Sequence, residues 1–298
     1  MTLASPRRWP ARHSPPWHEA SARGPGIPVR SEPGQEPSHA TATKDGDGAR
    51  EAPGPHAARE RGEVTVTIIP IRGVGEVHAG DEIATLLADA ATASGTPIED
   101  GDCVVVTQKI VSKAEDRLVD LDPEDLDAKR RLVESESVRV LRRRGDLVIS
   151  ETRHGFVCAN AGIDLSNVDA GRAALLPVDA DRSARHIRDA LRARHGIDAA
   201  IVVSDTFGRP WRLGLTDVAI GVCGLTAVLD LRGQHDANGR ELQVTEIAVA
   251  DEVASAAELV MGKAANVPAA IVRGLDAMFF GDGSARDLVR SPGEDLFR

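Results

Sequence analysis

The residues of this chain that could do chemistry are most concentrated at positions 202–214. The stretch begins inside an apolar, β-branched run, residues 200–203, which is typical of a buried strand. An acid and a hydroxyl, Asp205 and Thr206, follow at the mouth of that strand. Carboxylate and hydroxyl oxygens are ligands of hard cations, so these side chains predict a site for Mg²⁺ or Mn²⁺.

Two arginines come next, Arg209 and Arg212, in a loop that Gly208 and Pro210 open. Their planar guanidinium groups suit phosphate or carboxylate. A metal beside arginines at a strand end suggests the handling of a phosphorylated ligand. The residues alone fit equally well a plain strand end, an N-capping Asp or Thr and two solvent-exposed arginines, since the stretch matches no general fingerprint.

Other segments carry groups that suit phosphate. Residues 71–77 form a Gly-punctuated loop whose backbone could approach a ligand closely, although a plain turn explains it as well. The strand expected at residues 102–107 runs into Gln108, Lys109 and Lys113, and the two ammonium groups could hold phosphates as point charges. The alternative for these lysines is an ordinary surface loop.

Residues 160–168 offer the carboxylate of Asp164 and the amides of Asn160 and Asn167 within one short loop. These groups suit a ligand or cation site. A loop of Asx turns, in which the side chains bond the local backbone, is the alternative.

Periodicity and turn signals predict a mixture of elements along the chain. Helices are expected at residues 82–93 with Asp81 as the cap, and at 122–143, 183–195 and 250–261. Strands are expected at 64–70 with Pro70 ending the strand, and at 102–107, 147–151, 155–158, 199–204, 218–222, 226–229, 242–245 and 267–272. Helix-linked strands together with direct hairpins favour an α+β fold with a mixed sheet over a doubly wound fold.

Composition narrows the function classes. A net charge of −10 over 298 residues argues against a nucleic-acid partner. The three cysteines are far apart, which indicates neither a disulfide framework nor a structural zinc site. No apolar run approaches the roughly 20 residues of a membrane helix, so we expect a cytoplasmic protein without a membrane partner.

The chain also divides by composition. Residues 1–62 are rich in Pro, Gly, Arg and Ser, and we expect them to form a disordered N-terminal extension. Residues 63–278 carry the periodic elements and are expected to form the functional domain, whereas residues 279–298 are expected to form a polar tail.

Four stretches taken in order carry a resemblance to one family: residues 106–115, 160–168, 204–212, and 259–263 together with 267–275. They resemble the coenzyme F420-0:L-glutamate ligase (γ-glutamyl ligase) family. The form Asp-Thr-Phe-Gly-Arg-Pro-Trp-Arg is most similar to its actinobacterial branch. The resemblance is nearly continuous from about residue 64 to residue 275.

The resemblance implies a two-lobed fold, an intertwined homodimer and an activity. Members join L-glutamate to coenzyme F420-0 and extend a γ-linked tail, using GTP and Mg²⁺ or Mn²⁺; a further requirement for K⁺ stays open. GTP phosphorylates the terminal carboxylate, and the glutamate amine attacks the acyl phosphate. Actinobacterial relatives often continue into a nitroreductase-like flavin domain, which this sequence does not show, so no flavin is expected.

The resemblance also assigns residues. Asp164, Asp205 and Thr206 match the metal ligands. The matched nucleotide contacts are Val74, Gly75, Glu76, Val77, Gln108, Lys109, Lys113, Asn167, Met261, Gly262, Lys263, Ala264, Ala265, Asn266 and Val267. By their chemistry we assign Arg209 and Arg212, with Asp205, to catalysis. Archaeal members tend to carry an acid in the loop where this chain has Lys263, which leaves a third metal ligand from that loop open.

Other function classes are considered beside the ligase. A metal-dependent phosphohydrolase could use Asp164 and Asp205 without needing glutamate. A GTP-dependent amide ligase could act on a different carboxylate. A binding module without turnover is disfavoured, because the acids, the hydroxyl and the lysines of the expected site are all present.

Overall fold

The computed structural model describes residues 65–166 and 168–296 of the chain. The N-terminal extension expected at residues 1–62 lies outside the described residues. The helices are α1 (Ile83–Ala93), α2 (Gln108–Ala114), α3 (Leu126–Ser135), α4 (Ala180–Ala190) and α5 (Val249–Met261). The strands are β1 (Thr67–Ile71), β2 (Cys103–Thr107), β3 (Leu118–Asp120), β4 (Ser137–Arg144), β5 (Leu147–Thr152), β6 (Val157–Ala159), β7 (Arg172–Ala174), β8 (Ala200–Gly208), β9 (Leu215–Cys223), β10 (Leu229–Asp230), β11 (Glu246–Ile247) and β12 (Ala269–Arg273).

A five-stranded sheet with the order β1-β12-β2-β8-β9 organises the fold. Strands β2 and β8 run parallel, and the other neighbouring pairs are antiparallel. The sheet is therefore mixed, which confirms the expected α+β class.

Both faces of this sheet are covered. Along β8, Ile201 and Val203 pack into the apolar layer that contains α1, α2 and α4. Their neighbours Ala200 and Val202 pack into the opposite layer, which contains α5. Because successive side chains of a strand point to opposite faces, a strand buried on both faces reads as one continuous apolar run. This explains why the run before Asp205 is apolar without alternation.

An insertion between β2 and β8 carries two smaller sheets, β3-β7 and β4-β5-β6, together with α3. It has its own small apolar cluster around Val133, Val148 and Ala161. Near its end, Asp164 forms an isolated bridge with Ala174, in which each backbone N–H donates to the other's carbonyl at 2.9 and 2.8 Å. The insertion therefore fixes the backbone at Asp164. The expected division into two lobes stays a prediction.

The structure corrects the expected elements around the site. The strand expected to end at Ser204 continues to Gly208, because β9 pairs with it from Ile201 to Gly208. Asp205 and Thr206 therefore lie on a strand and not in a loop. Residues 108–114, for which a surface loop is the alternative interpretation of the sequence, form helix α2 directly after β2.

Corrections also apply further from the site. The helix expected over residues 122–143 ends at Ser135, and the chain continues as β4, because Val140 and its neighbours pair with β5. Strand β1 includes Pro70, which an edge strand tolerates. Helix α1 is capped by Glu82 instead of Asp81, since the Glu82 carboxylate accepts from the Ala84 N–H.

Of the strand expected at residues 226–229, only Leu229 lies in a strand, the two-residue β10. The strand expected at residues 242–245 does not form, and β11, which pairs with β10, begins just after it. Residues expected in the tail pack against the α5 layer, where Ala285 is buried and Phe279 and Phe280 contact the cluster. Cys103 and Cys158 are buried, and burial raises the pKa of each thiol to about 12. Within residues 65–296, apart from 167, the helices are too short or too polar to cross a membrane.

Candidate active site

The chemistry-bearing residues meet where β2 ends and its parallel pairing with β8 stops. Thr107 and Ser204 are paired in register, so Gln108 and Asp205 follow them at the same level of the sheet. Carboxyl ends of adjacent parallel strands are the usual position of ligand sites in such sheets. Helix α2 begins here and presents Lys109 and Lys113 from successive turns.

Among the acids at this edge of the sheet, Asp205 has the largest shift in pKa. Its Oδ1 accepts the Thr206 N–H at 2.8 Å. Burial raises the pKa of the Asp205 carboxyl to about 7, and the negative charges of Asp164 and Asp217 add to the rise against the Thr206 hydrogen bond and the charge of Lys263. A carboxylate held among other carboxylates favours a bound cation, so the donor set here fits a divalent metal.

The acids supply only part of a coordination shell. Over the described ranges, no cluster of three or more His, Cys, Asp or Glu side chains has the arrangement of a metal site. Mg²⁺ is commonly held by one or two carboxylates together with water and substrate phosphates. The pair Asp164 and Asp205 fits this arrangement of two carboxylates completed by water and phosphate. Their assignment as ligands stays a prediction.

Asp164 is joined to α2 by an ion pair. Its Oδ2 lies 2.9 Å from Lys109 Nζ, and its Oδ1 accepts the Ser166 N–H at 2.7 Å. Lys109 also donates to Ser166 Oγ at 2.9 Å. Burial opposes the charge on Asp164, but the hydrogen bonds from Lys109 and Ser166 outweigh it and lower the pKa of this carboxyl. The pair places an ammonium group beside the expected metal ligands.

Asp217 is a site residue that sequence reasoning missed. It lies on β9 opposite Thr206 and is 1% exposed. Its carboxylate accepts from Ser204 Oγ at 2.9 Å, from Thr206 Oγ1 at 2.6 Å and from Lys263 Nζ at 3.0 Å. Ser204 and Thr206 lie two residues apart on one strand, so they share a face.

The signal for Asp217 in the sequence is a single acid inside an apolar strand. The position of Asp217 opposite Thr206 follows from the β8–β9 register, which the sequence did not show. The hydroxyl of Thr206, an expected metal ligand, is used here between Asp217 and Lys263. Lys263 also lies 3.1 Å from Glu258, a second acid that the sequence reasoning did not single out.

The loop between β1 and α1 reaches the same edge through one side chain. Glu76 forms an ion pair with Lys113, whose side chain is 11% exposed. Val74 and Val77 are buried in the core, whereas Gly75 and Glu76 are exposed. Of the expected nucleotide contacts in this loop, only the backbone and the Glu76 carboxylate are thus available to a ligand.

Replacing Glu76 by glutamine is expected to lower the KM for the nucleotide about two- to fivefold. The Glu76 carboxylate would compete with a bound phosphate for Lys113, and because the Glu76 side chain is 67% exposed, its ion pair contributes only about 0.5–1 kcal/mol. Steady-state kinetics with varied nucleotide measures the effect. The matched control is Glu134→Gln, which breaks an ion pair with Arg143 in the insertion and should leave KM unchanged. A higher KM in Glu76→Gln would assign this carboxylate to nucleotide binding.

Gln108 points inward at the start of α2. It is 2% exposed, and its Oε1 accepts from Ser112 Oγ at 2.7 Å. Its Nε2 is buried without a hydrogen-bond partner in the described part of the chain. A buried amide with an unused donor is rare in native proteins, which makes this N–H₂ group a candidate donor to a ligand oxygen.

Of the other expected nucleotide contacts and catalytic residues, some are buried in the core and others are exposed. Met261, the last residue of α5, and Val267 are buried in the core. The residues between them are exposed: Gly262, Lys263, Ala264, Ala265 and Asn266. Arg209 and Arg212 are exposed at the end of the β8–β9 hairpin, where Arg209 donates to the Leu213 carbonyl at 2.7 Å. Their catalytic role stays a prediction, and Asn167 lies outside the described residues.

Comparisons with known proteins agree with the resemblance noted above. A family model described as F420-0:Gamma-glutamyl ligase matches residues 73–274. The coenzyme F420:L-glutamate ligase of Methanothermobacter thermautotrophicus is 45% identical over 249 residues, which is 78% of this chain and 99% of the relative. The enzyme of the same name from Methanopyrus kandleri is 41% identical over 252 residues, 78% of this chain and 98% of the relative.

A third coenzyme F420:L-glutamate ligase, from Methanocaldococcus jannaschii, is 39% identical over 217 residues, 68% of this chain and 86% of the relative. The chain is therefore an enzyme of the ligase class. It belongs to the F420-0:gamma-glutamyl ligase family.

Proposed function

We propose that this protein joins L-glutamate to coenzyme F420-0 and extends the γ-linked glutamate tail, using GTP and Mg²⁺ or Mn²⁺. The observation that carries the proposal is the pairing of Asp164 with Lys109 beside Asp205 at one sheet edge, in a chain of this family. Acids that suit a cation and lysines that suit phosphates are what an enzyme of phosphoryl transfer needs.

The reaction is proposed in two steps. The γ-phosphoryl group of GTP moves to the terminal carboxylate of the acceptor, which forms an acyl phosphate and GDP. The amine of L-glutamate then attacks the acyl carbon, the amide bond forms, and inorganic phosphate leaves. Both steps move negative charge onto phosphate oxygens, so positioning and electrostatic stabilisation supply most of the catalysis.

The residues of this chain have separate parts in that scheme. Asp164 and Asp205 would hold the divalent cation, with Thr206 close by, and the cation would neutralise charge on the phosphates. Lys109 and Lys113 hold and orient phosphate oxygens as point charges. The Gln108 N–H₂ group donates to a ligand oxygen. Arg209 and Arg212 bind phosphate or the substrate carboxylate when the hairpin end meets the ligand.

Metal binding to the metal-free protein is expected to weaken below pH 7. Because the pKa of Asp205 is raised to about 7, this carboxyl is protonated below that pH, and a cation must displace the proton. The Mn²⁺ dissociation constant should rise about tenfold per pH unit below pH 7 and level off above it. Titrations from pH 5.5 to 8.5 measure this, and Asp205→Asn should abolish the slope. An unchanged constant across this range would remove Asp205 from the metal site.

The decisive experiment is mass spectrometry of F420-0 incubated with the purified protein, GTP, Mg²⁺ or Mn²⁺ and L-glutamate. A ladder of glutamate additions that requires GTP would establish the ligase and report the length of the tail. Omitting the metal and adding K⁺ in parallel reactions tests both ion requirements.

Other results would favour the other function classes. GDP and phosphate without a ladder would favour a phosphohydrolase, or a ligase acting on a different carboxylate, and a panel of carboxylates separates the two. Neither GDP nor adducts would favour a binding role. The homodimer, the cytoplasmic location and the absence of a flavin, nucleic-acid or membrane partner stay predictions.

A further inference from the structure

The ammonium group of Lys263 lies among oxygen atoms of the kind that bind metal ions. Its Nζ is 3.0 Å from Asp217 Oδ1 and 3.1 Å from Glu258 Oε1, and it also donates to Thr206 Oγ1. An ammonium group has three N–H donors, so these contacts use all of them. Two carboxylates and a hydroxyl are also a ligand set for a hard cation.

The end of α5 places Lys263 in this position. Glu258 lies on the last turn of the helix, and Gly262, with a φ of +59°, ends the helix and turns the chain. The Lys263 side chain is 56% exposed, whereas the Asp217 side chain that it pairs with is 1% exposed. Burial opposes its charge, but Asp217 and Glu258 outweigh burial and raise the pKa of Lys263.

Lys263 neutralises the buried carboxylate of Asp217, which would otherwise need another cation. Asp217 is 1% exposed, and the ion pair that the structure gives this carboxylate is with Lys263. A buried carboxylate without a paired charge is strongly unfavourable. The charge of Lys263 also acts on Asp205, so the ammonium group lies within electrostatic reach of the proposed metal ligands.

We propose that Lys263 is a built-in cation, whose ammonium group takes the place of a second metal ion beside the Asp164–Asp205 site. The inference rests on the metal site of the proposed function. Enzymes of phosphoryl transfer often use two cations, one on each side of the transferred group. In this chain one of the two charges is covalently attached, so each chain binds a single divalent ion.

The test is the number of metal ions bound, which does not depend on turnover. Equilibrium dialysis of the full-length protein against Mn²⁺, followed by elemental analysis, should find one ion per chain in the wild type. Lys263→Glu should bind two, because the introduced carboxylate joins Asp217 and Glu258. Lys263→Arg keeps the charge and should bind one. Thermal melts with and without Mn²⁺ should show a larger stabilisation in Lys263→Glu than in the wild type.

The outcomes distinguish the proposed metal site from the inferred role of Lys263. One ion in the wild type and one in Lys263→Glu would overturn the inference and leave the proposed metal site standing. Two ions in the wild type would also overturn it. No ion in the wild type, also when GDP is added to supply phosphate oxygens, would remove the metal site and the inference together. If Lys263→Glu does not fold, Lys263→Met is measured instead. Binding of a second ion to Lys263→Met, at least about tenfold more weakly than the first, supports the inference. Absence of a second ion in this variant overturns it.

Discussion

Replacement of Asp205 by asparagine is expected to lower the rate of glutamate ligation at least about a thousandfold, which corresponds to about 4 kcal/mol of transition-state stabilisation. The change keeps the size of the side chain and an oxygen that can accept the Thr206 N–H. It removes the charge that would bind the divalent cation. The assay is the GTP-dependent addition of L-glutamate to F420-0, followed by mass spectrometry and by GDP release.

Stability measurements distinguish lost chemistry from a lost fold. The raised pKa means that folded Asp205 holds its proton up to about pH 7, whereas an ordinary Asp in the unfolded chain loses it near pH 4. Ionised Asp205 therefore costs the metal-free protein stability as pH rises through this window, and asparagine avoids the cost. Without metal at pH 8, Asp205→Asn should melt at or above the wild-type temperature.

Asp251→Asn is the matched control for this variant. Asp251 lies in the first turn of α5, its Oδ1 accepts the Ala219 N–H at 2.9 Å, and burial raises the pKa of this carboxyl as well. Asparagine preserves the acceptor, and activity should stay within about threefold of the wild type, as for substitutions that keep local contacts. Near-wild-type ligation in Asp205→Asn would contradict the assigned role.

Replacement of Lys109 by methionine is expected to lower kcat/KM for GTP about a hundredfold. A hydrogen bond to a charged group contributes about 1.5–3 kcal/mol, and Lys109 makes such bonds at a site that also holds phosphate in the proposed reaction. The loss of the ammonium group removes a contact to phosphate. It also removes the bond to Asp164 at 2.9 Å, so the pKa of that carboxyl should rise.

The control for this variant is Lys129→Met on α3, which removes the same charge from the insertion at a residue outside the site. Its kcat/KM should stay within about twofold of the wild type. Equal losses in the two variants would show that the effect comes from overall charge and not from the site. An unchanged kcat/KM in Lys109→Met would move phosphate binding to other groups.

The sequence by itself determined the class of fold and predicted candidate groups for the chemistry. Apolar runs such as residues 200–203 marked the central strands, because both faces of the sheet are buried. The polar groups that follow those runs marked the level of the sheet at which the β2–β8 pairing stops, where Asp205 and Lys109 lie. These are local patterns, and they can be recognised in the sequence without knowing which strand pairs with which.

Only the tertiary structure decided which elements pair and therefore which residues share the site. The charged stretch after Ser135, expected to continue a helix, forms β4, because pairing with β5 overrides the helix propensity of its Arg and Leu residues. Asp217 joins the site through the β8–β9 register, and Lys263 joins it through the turn at Gly262. Both contacts span many residues along the chain, so their geometry depends on packing and not on local sequence.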